Sequence, residues 1–259
     1  MGNIAYYWNN KGERAKTAAA HTAMMEKRFH NEILESVKRT RIYDGYVGAQ
    51  YERQFTVDFN LEDTDSVSAI LNSKTAGKTA VLNFASYKNP GGGFLAGSRA
   101  QEESLCHESF LYNVLCQFPK YYNHNQQYLN YGLYNNRALY TPDVIFTRGT
   151  QQAKCDVITC AAPNATTFFK YNADQGEDMN QHVLESRIAF VLDIAADNCV
   201  DHLILGAYGC GVFGQDPENV AQIFKDMLTN EYRFFPTITF AVPRDAGHPQ
   251  NYMAFEKIL

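Results

Sequence analysis

Residues 83–103, Asn83-Phe-Ala-Ser-Tyr-Lys-Asn-Pro-Gly-Gly-Gly-Phe-Leu-Ala-Gly-Ser-Arg-Ala-Gln-Glu-Glu103, contain the features from which the fold can be predicted. The apolar run 79–85 has the length and composition of a strand, and Asn89-Pro90 forces the chain out of any regular element. After the glutamates, the apolar residues of 104–112 recur at loosely helical spacing. The stretch therefore predicts a strand, a glycine-rich loop and a helix, with two adjacent glutamates where the loop enters the helix.

The three consecutive glycines suit the binding of an anion. Gly91, Gly92 and Gly93 lack a Cβ, so their backbone N–H groups can approach a ligand closely and adopt positive φ without penalty. Concave groups of such N–H donors accept the oxygens of a diphosphate. The alternative is a tight loop before a solvated acidic helix start, because carboxylates at a helix N-terminus favour the helix dipole without any catalysis.

A second glycine-rich stretch follows a buried-strand pattern at 202–208. It reads Gly209-Cys-Gly-Val-Phe-Gly214 and leads through Gln-Asp-Pro into a helix that is expected to end near Asn230. A strand, a glycine-rich turn and a helix start form an arrangement that binds anions. The spacing is not that of a dinucleotide fingerprint, so this motif alone is weak. Together with the first loop it predicts a single site built from two loops.

These two stretches resemble a known family. Gly91-Gly-Gly93, seven intervening residues and Gln101-Glu-Glu103 resemble the signature of the poly(ADP-ribose) glycohydrolases, and the flanking residues are similar to the bacterial-type branch. The run Gly-Ala-x-Gly-Cys-Gly-Val-Phe-Gly resembles the second phosphate loop of the macrodomain core. The resemblance covers residues 80–245 well, and the N-terminal helical region only by general character.

The resemblance sharpens the expected fold. Alternation of strand-like and helix-like segments from residue 55 onward indicates an α/β protein. The resemblance implies a macrodomain-like α/β/α sandwich with a mixed central sheet and an N-terminal helical extension. We expect one catalytic domain over 1–259, with an accessory helical region at 1–54 and the α/β core at 55–259.

The resemblance also implies an activity, the hydrolysis of ribose–ribose O-glycosidic bonds of poly(ADP-ribose) to release ADP-ribose, and it favours exo cleavage. The expected partners are poly(ADP-ribose), ADP-ribose and ADP-ribosylated proteins, bound by a monomer. Two alternatives share the fold: a module that binds ADP-ribose without cleaving it, and a hydrolase of another ADP-ribose derivative. The glutamate pair argues against pure binding, since two carboxylates disfavour an anionic ligand.

The chemistry assigns roles to the site residues. Glycoside cleavage passes through an oxocarbenium-like state, so the leaving oxygen needs a proton and the ring needs nearby negative charge. We expect Glu103 to be the general acid and Glu102 to hold and orient the ribose hydroxyls, with Gln101 fixing both by hydrogen bonds. Asn89 is expected to contact the terminal ribose, and Phe213 to stack on that ribose or wall it and exclude water. The predicted substrate-binding residues are Asn89, Gly91, Gly92, Gly93, Gln101, Gly209, Cys210, Gly211, Val212, Phe213 and Gly214, with Asn251 and Phe255 as adenine contacts or parts of a packed C-terminal helix.

Composition limits the remaining functions. The chain has 259 residues, 45% of them hydrophobic, and a net charge of -5, so no overall basic field attracts DNA. It shows no apolar run of the ~20 residues that span a membrane and no signal-peptide core, and we expect a cytoplasmic protein. Its six cysteines have the spacing of reduced thiols, and its seven histidines form no ligand-spaced pair. We therefore expect neither a metal nor a cofactor.

The other elements are predicted from periodicity and turn signals. We expect one long helix or two broken ones over 12–39, a helix over 65–73 capped by Asp63 or Thr64, and a helix over 180–198. Strands are expected at 55–59, 143–147, 156–162 and 237–242. Residues 121–137 are expected to form a surface loop with aromatic anchors or a flap over the ligand. The aromatic residues 1–10 are expected to pack on the body or to be loosely held.

Overall fold

The computed structural model describes residues 9–45, 47, 54–74, 76–172, 176–244 and 247–259. The strands are β1 (Arg41–Asp44), β2 (Asp58–Glu62), β3 (Thr79–Phe84), β4 (Arg137–Arg148), β5 (Gln151–Cys160), β6 (His202–Leu205) and β7 (Thr237–Ala241). The helices are α1 (Lys11–Arg28), α2 (His30–Arg39), α3 (Ser66–Asn72), α4 (Gln101–His107), α5 (Leu111–Leu115), α6 (Pro119–Gln127), α7 (Ala165–Tyr171), α8 (Gly176–Asp197), α9 (Pro217–Thr229) and α10 (Pro249–Ile258), with 3-10 turns at Phe94–Ala96 and Asn130–Gly132.

The strands form one mixed seven-stranded sheet in the order β1-β4-β5-β3-β6-β7-β2. Strands β5, β3, β6, β7 and β2 run parallel to one another, and β4 and β1 are added antiparallel at one edge. Parallel strands in such a sheet have their carboxyl ends at the same edge. The loops that follow these five strands therefore lie on one side of the molecule.

Helices cover both faces of the sheet. Ala80 and Leu82 of β3 belong to one hydrophobic core, with residues of α8, α9 and α10, while Val81 belongs to the other, with residues of α1 to α6. This explains why β3 is apolar along its length, since both of its faces are buried. The expected α/β/α sandwich with a mixed sheet is confirmed.

The N-terminal helical region consists of two helices, as one of the two predictions stated. Helix α1 ends at Arg28, and Phe29 has non-helical backbone angles before α2 begins. Phe29 and Ile33 are buried in the second core. The prediction for residues 1–10 lies outside the described residues, except at positions 9 and 10.

Four local predictions need correction. The strand expected at 55–59 is β2 at Asp58–Glu62, because its register is set by parallel pairing with β7. Helix α3 is capped by Asp65, whose carboxylate accepts the Val67 and Ser68 N–H groups at 2.9 and 3.0 Å, and not by Asp63 or Thr64. The first part of the supposed surface loop is helix α6, with Tyr121 and Tyr122 buried. The helix expected over 104–112 is divided between α4 and α5.

None of the described helices has the length and apolar character of a membrane span. The six cysteines are free thiols. Within the described ranges, no group of three or more His, Cys, Asp or Glu side chains is placed to hold a metal ion.

Candidate active site

A cavity of about 1060 Å³ lies where the carboxyl ends of the parallel strands meet. Its wall includes residues from the segments that follow β2, β3, β5, β6 and β7, together with residues of α4 and α10. In open α/β sheets this edge is the usual place for a ligand. Both glycine-rich loops contribute to the wall, so the structure brings the two sequence motifs into one site.

Glu102 is buried in the wall of this cavity, with 2% of its surface exposed. Its Oε2 accepts the Ser86 N–H at 2.7 Å, and its Oε1 accepts the side-chain N–H of Asn83 at 3.2 Å. Burial raises the pKa of Glu102 to about 8, and the neighbouring Glu103 adds to the shift, while the hydrogen bonds oppose it. The raised pKa favours the neutral form of Glu102, which lessens the charge that the pair would carry as two carboxylates.

Glu103 lines the same cavity but is held by different donors. Its Oε1 accepts the Gly93 N–H at 2.7 Å, and its Oε2 accepts the Ala100 N–H at 3.0 Å. The second bond is a side-chain cap of helix α4. The glycine run in the middle of the loop between β3 and α4 is therefore connected to the residue before α4 through one carboxyl group.

The glycines of the first loop make room for these carboxyl groups. Gly91 and Gly92 have φ of +64° and +60°, and a Cβ on Gly92 would lie 2.5 Å from Oε1 of Glu103 and 3.0 Å from Oε2 of Glu102. The Gly92 N–H donates to the Asn89 carbonyl at 3.0 Å. Because the Gly93 N–H is bonded to Glu103 of α4, the N–H groups of Gly92 and Gly93 both have acceptors within the protein.

Gln101 positions helix α4. Its side-chain carbonyl accepts the Phe84 N–H at 2.9 Å, and its side-chain N–H groups donate to the Leu82 carbonyl at 2.8 Å and the Ser66 hydroxyl at 3.1 Å. The amide thus attaches the first turn of α4 to the end of β3 and to the start of α3. These bonds go to Phe84, Leu82 and Ser66 and not to Glu102 or Glu103, so the hydrogen bonds expected from Gln101 to the glutamates are replaced by bonds that hold the backbone beside them.

The second loop has a different character. Its Gly209 has a φ of +78°, and Gln215 closes the loop by donating its backbone N–H to the Gly209 carbonyl at 3.0 Å. The Gln215 side chain donates to the Pro163 carbonyl and pairs with Asn180. Among the described residues, no acceptor bonds the backbone N–H groups of 211–213. Three successive unoccupied donors in a glycine-rich loop form an anion-binding surface.

Three aromatic rings connect the two loops. Tyr87 of the first loop stacks on Tyr134 with ring centroids 4.7 Å apart, and Tyr134 lies 6.4 Å from the ring of Phe213 in the second loop. Tyr87 and Phe213 line the cavity. Tyr134 is 4% exposed and has a φ of +55°. The expected flap over 121–137 stays a prediction, but its residue Tyr134 contacts the cavity wall.

The C-terminal helix supplies one of its two predicted contacts. Asn251 lines the cavity, and its buried side-chain oxygen has no hydrogen-bond partner. Phe255 is fully buried against Phe240, with ring centroids 5.3 Å apart. Both residues belong to α10. Phe255 is packed in the core, as the alternative prediction stated, whereas the position of Asn251 allows a contact with a ligand.

Helix α1 supports the first loop from behind. The Arg14 guanidinium is 5% exposed and its Nε donates to the Gly97 carbonyl at 2.9 Å. Gly97 has a φ of +71°, and a Cβ there would lie 2.2 Å from the Lys11 carbonyl oxygen and 2.7 Å from the Ala15 nitrogen. The loop therefore packs directly on the backbone of α1, which makes the N-terminal region part of the scaffold of the site.

The predicted site residues separate into two groups. Those that line the cavity are Gly92, Gln101, Glu102, Glu103, Gly209, Gly211, Val212, Phe213 and Asn251. Those outside its wall are Asn89, Gly91, Gly93, Cys210, Gly214 and Phe255. Burial raises the pKa of the Cys210 thiol, and its N–H donates to the Ala207 carbonyl at 3.2 Å. The Cys210 N–H is therefore occupied in this structure.

Several lining residues were not predicted from the sequence. They are the segment 63–67 after β2, Phe84 to Lys88, Arg99, Ala162, Ala207, the segment 241–244 and His248. Most of them directly follow a parallel strand, and this position in the sequence could have indicated that they line the site. Asn83, which holds Glu102, is the fifth residue of β3 and was visible only as part of the motif.

Comparisons with known proteins agree with this geometry. A family model described as the catalytic domain of microbial-type PARG matches residues 6–149. The chain is similar to the crystal structure of poly(ADP-ribose) glycohydrolase from Thermomonospora curvata bound to the inhibitor ADP-HPD, with a TM-score of 0.85 and 28% identity over 96% of this chain and 100% of that one. It is also similar to poly(ADP-ribose) glycohydrolase from Deinococcus radiodurans in complex with ADP-ribose, with a TM-score of 0.80 and 33% identity over 88% and 96% of the two chains. Comparison with curated proteins gave no match.

Proposed function

The chain belongs to the microbial-type poly(ADP-ribose) glycohydrolase family, and from this membership we propose that it hydrolyses the ribose–ribose O-glycosidic bonds of poly(ADP-ribose) with Glu103 as the general acid. It is a glycoside hydrolase. Its substrates are poly(ADP-ribose) and, in this proposal, ADP-ribosylated proteins. One observation carries the proposal for the mechanism: two adjacent buried carboxyl groups and a row of unoccupied backbone N–H groups line a single cavity.

The second loop is the main diphosphate site in this proposal. The N–H groups at 211–213 have no acceptor among the described residues, whereas the N–H groups of Gly92 and Gly93 already have one. A diphosphate bound here would be held by backbone dipoles, which fits a chain with a net charge of -5. Gly92 contributes by leaving space for the carboxyl groups of Glu102 and Glu103 in the cavity wall.

The terminal ribose lies between the glutamates and the aromatic rings. Phe213 lines the cavity on the second loop and would exclude water from one side of the sugar. In this proposal the adenine lies toward α10, where the side-chain oxygen of Asn251, which has no hydrogen-bond partner among the described residues, can accept a hydrogen bond from the exocyclic amine. The ribose contact expected of Asn89 stays a prediction, since this side chain is exposed and outside the cavity wall.

The two glutamates have separate tasks because their environments differ. Glu102 accepts hydrogen bonds from Asn83 and Ser86, and its raised pKa favours the neutral form, so it can orient ribose hydroxyls with little repulsion of the diphosphate. Glu103 Oε1 borders the space above Gly92, next to the ligand. From there it delivers a proton to the leaving oxygen and then accepts one from the attacking water.

The raised pKa of Glu102 favours a second candidate, in which Glu102 is the acid. Its deeper burial argues against this, since Glu102 is 2% exposed and Glu103 is 7% exposed, whereas both oxygens of each group accept hydrogen bonds from the protein. Exchange of each glutamate for glutamine separates the two candidates.

The test of the function is incubation of the purified protein with poly(ADP-ribose), followed by chromatographic separation of monomer from oligomers. We expect ADP-ribose as product. A folded protein that leaves the polymer intact, but binds ADP-ribose, would overturn the proposal in favour of a binding module.

A further inference from the structure

Among the described residues, the Lys and Arg side chains that line the cavity are Lys88, Arg99 and Arg244, and only Arg244 forms ion pairs. Arg244 is paired with Asp63 at 3.6 Å and with Glu256 at 3.1 Å. Lys88 and Arg99 have no carboxylate partner within the described ranges, and the Lys88 ammonium lies 5.8 Å from the centroid of the Tyr87 ring. Arg99 donates one hydrogen bond to the Asn9 side chain at 3.1 Å, which leaves most of its guanidinium donors available.

Apart from Glu102 and Glu103, the carboxylates that line the cavity, Asp63 and Asp65, already form ion pairs with arginines. Asp63 pairs with Arg244, and Asp65 pairs with Arg148 at 2.9 Å. Lys88 and Arg99 therefore form a local positive surface on a chain whose net charge is -5.

Both cations are connected to the reacting carboxyl groups through short segments of backbone. Glu102 accepts the Ser86 N–H at 2.7 Å, and the Ser86 hydroxyl accepts the Lys88 N–H at 3.3 Å. Glu103 accepts, at 3.0 Å, the N–H of Ala100, the residue that follows Arg99. The two cations are thus placed on the loop segments that end at the two glutamates.

We infer that Lys88 and Arg99 form a subsite for the diphosphate of the next ADP-ribose unit, the one that leaves when the glycosidic bond breaks. This inference rests on the proposed function. The leaving oxygen lies within hydrogen-bond reach of the general acid. In poly(ADP-ribose) the first phosphate of the leaving unit is attached to the same ribose as that oxygen, about six bonds away. Two cations that line the same cavity as the acid match this doubly charged group.

The terminal unit's own diphosphate has a separate place. It is bound in the proposed function by the N–H groups at 211–213 on the loop after β6, whereas Lys88 and Arg99 lie on the loop after β3. Backbone donors would bind the terminal unit and side-chain cations the leaving unit. Binding of free ADP-ribose and turnover of polymer should therefore depend differently on these side chains and on salt.

The experiment compares the double variant Lys88→Ala, Arg99→Ala with wild type. We expect KM for poly(ADP-ribose) to rise by about tenfold to a hundredfold, with the Kd of ADP-ribose from calorimetry changed by less than about twofold. Raising salt from 50 to 200 mM should raise the wild-type KM, and the variant should lose about 0.7 of the logarithmic salt slope for each phosphate contact removed.

The matched control is Lys120→Ala, Lys154→Ala, which removes the same charge from exposed positions outside the cavity. An equal rise in KM in this control would reduce the effect to general charge and overturn the inference. An unchanged KM in the Lys88, Arg99 variant would also overturn it. A parallel loss of ADP-ribose affinity would assign the cations to the terminal diphosphate instead.

Melting temperatures show whether each variant is folded, and Lys88→Arg, which keeps the charge, should retain most of the wild-type KM. Wild-type protein that does not cleave the polymer at all would overturn the proposed function, an outcome separate from a cleaving wild type with insensitive variants.

Discussion

Glu102 and Glu103 are neighbours in the sequence, yet their side chains enter different surroundings. Glu102 reaches back to the end of β3, where Asn83 and Ser86 hold it, and Glu103 reaches forward to the glycine loop and to Ala100. Adjacent residues at the start of a helix point in directions about 100° apart, which makes this division possible. At the scale of single residues, this gives the two carboxyl groups different hydrogen-bond partners, as the separate roles proposed for them require.

The first prediction concerns the roles of the two glutamates. Glu103→Gln should lower kcat for poly(ADP-ribose) by about 10²–10⁴-fold, because it removes the general acid, while ADP-ribose affinity stays within about twofold. Glu102→Gln should weaken ADP-ribose binding as well as turnover, because the group that orients the ribose hydroxyls is changed. Single-turnover kinetics and calorimetry on both variants give the two quantities. The reverse pattern would exchange the roles.

The second prediction uses the pH dependence of stability. The pKa of Glu102 rises from 4.5 to about 8 on folding, so between these values the folded chain keeps a proton that the unfolded chain has released. The contribution of Glu102 to the free energy of unfolding is therefore complete below pH 4.5 and is lost as pH rises through 8. Glu102→Gln removes this loss, so its melting temperature relative to wild type should increase from pH 5 to pH 9.

The control for this pH series is Glu231→Gln at an exposed glutamate. Its melting temperature relative to wild type should be nearly flat over the same range. A Glu102→Gln difference that is equally flat would show that Glu102 is charged in the folded protein at neutral pH.

At the scale of elements, the site depends on how the first loop is held between α1 and α4. Arg14 bonds the Gly97 carbonyl, Gln101 fixes the start of α4 to β3, and the Glu103 side chain joins both ends of the loop. The sequence predicted the strand, loop and helix, because Pro90 and the glycines are strong local signals. It did not predict the contact with α1, since no local pattern indicates which distant helix packs on a loop.

The third prediction tests this contact with a matched pair of glycines. Gly97 and Gly149 have similar φ angles, +71° and +62°. A Cβ on Gly97 would collide with backbone atoms of α1, whereas a Cβ on Gly149 would have no atom within 4 Å. Gly149→Ala should cost about 1–2 kcal/mol from the left-handed backbone alone. Gly97→Ala should cost more and should also lower activity, because α1 and the loop must separate. Urea unfolding and polymer turnover measure both, and equal costs would contradict the contact.

The fourth prediction separates the two glycine loops. Gly211 has open space around a Cβ, so Gly211→Ala should leave the melting temperature nearly unchanged and weaken ADP-ribose binding by about tenfold, because the methyl group enters the ligand site. Gly92→Ala should affect both folding and binding, since its Cβ would contact the two glutamates. The double variant should be non-additive in affinity because the two loops share one ligand.

The control for the glycine series is Gly12→Ala in α1, outside the cavity, where the nearest atom to a Cβ is 3.4 Å away. Its ADP-ribose affinity should equal that of wild type. Wild-type affinity in Gly211→Ala as well would remove the second loop from the diphosphate site.

At the scale of the whole molecule, the active site is produced by the sheet. Segments that follow β2, β3, β5, β6 and β7 are far apart in the sequence, and parallel pairing brings their ends to one edge. The two glycine loops were recognisable from their residues. Tyr87, Tyr134 and the segment 63–67 were not, because their place in the site follows from strand order, which alternation alone does not determine.

The last prediction concerns the mode of cleavage and belongs to this scale. Helix α10 contributes Asn251 to the cavity wall, and the Arg244 ion pairs join the segment after β7 to Asp63 after β2 and to Glu256 in α10. In the proposed orientation these residues close the adenine end, so a polymer could enter only by its terminus. End-labelled poly(ADP-ribose) sampled early should then yield ADP-ribose from the start, with chains that shorten gradually. Oligomers of intermediate length that appear before monomer, under conditions where they are not themselves cleaved, would show that the adenine end is open to internal units.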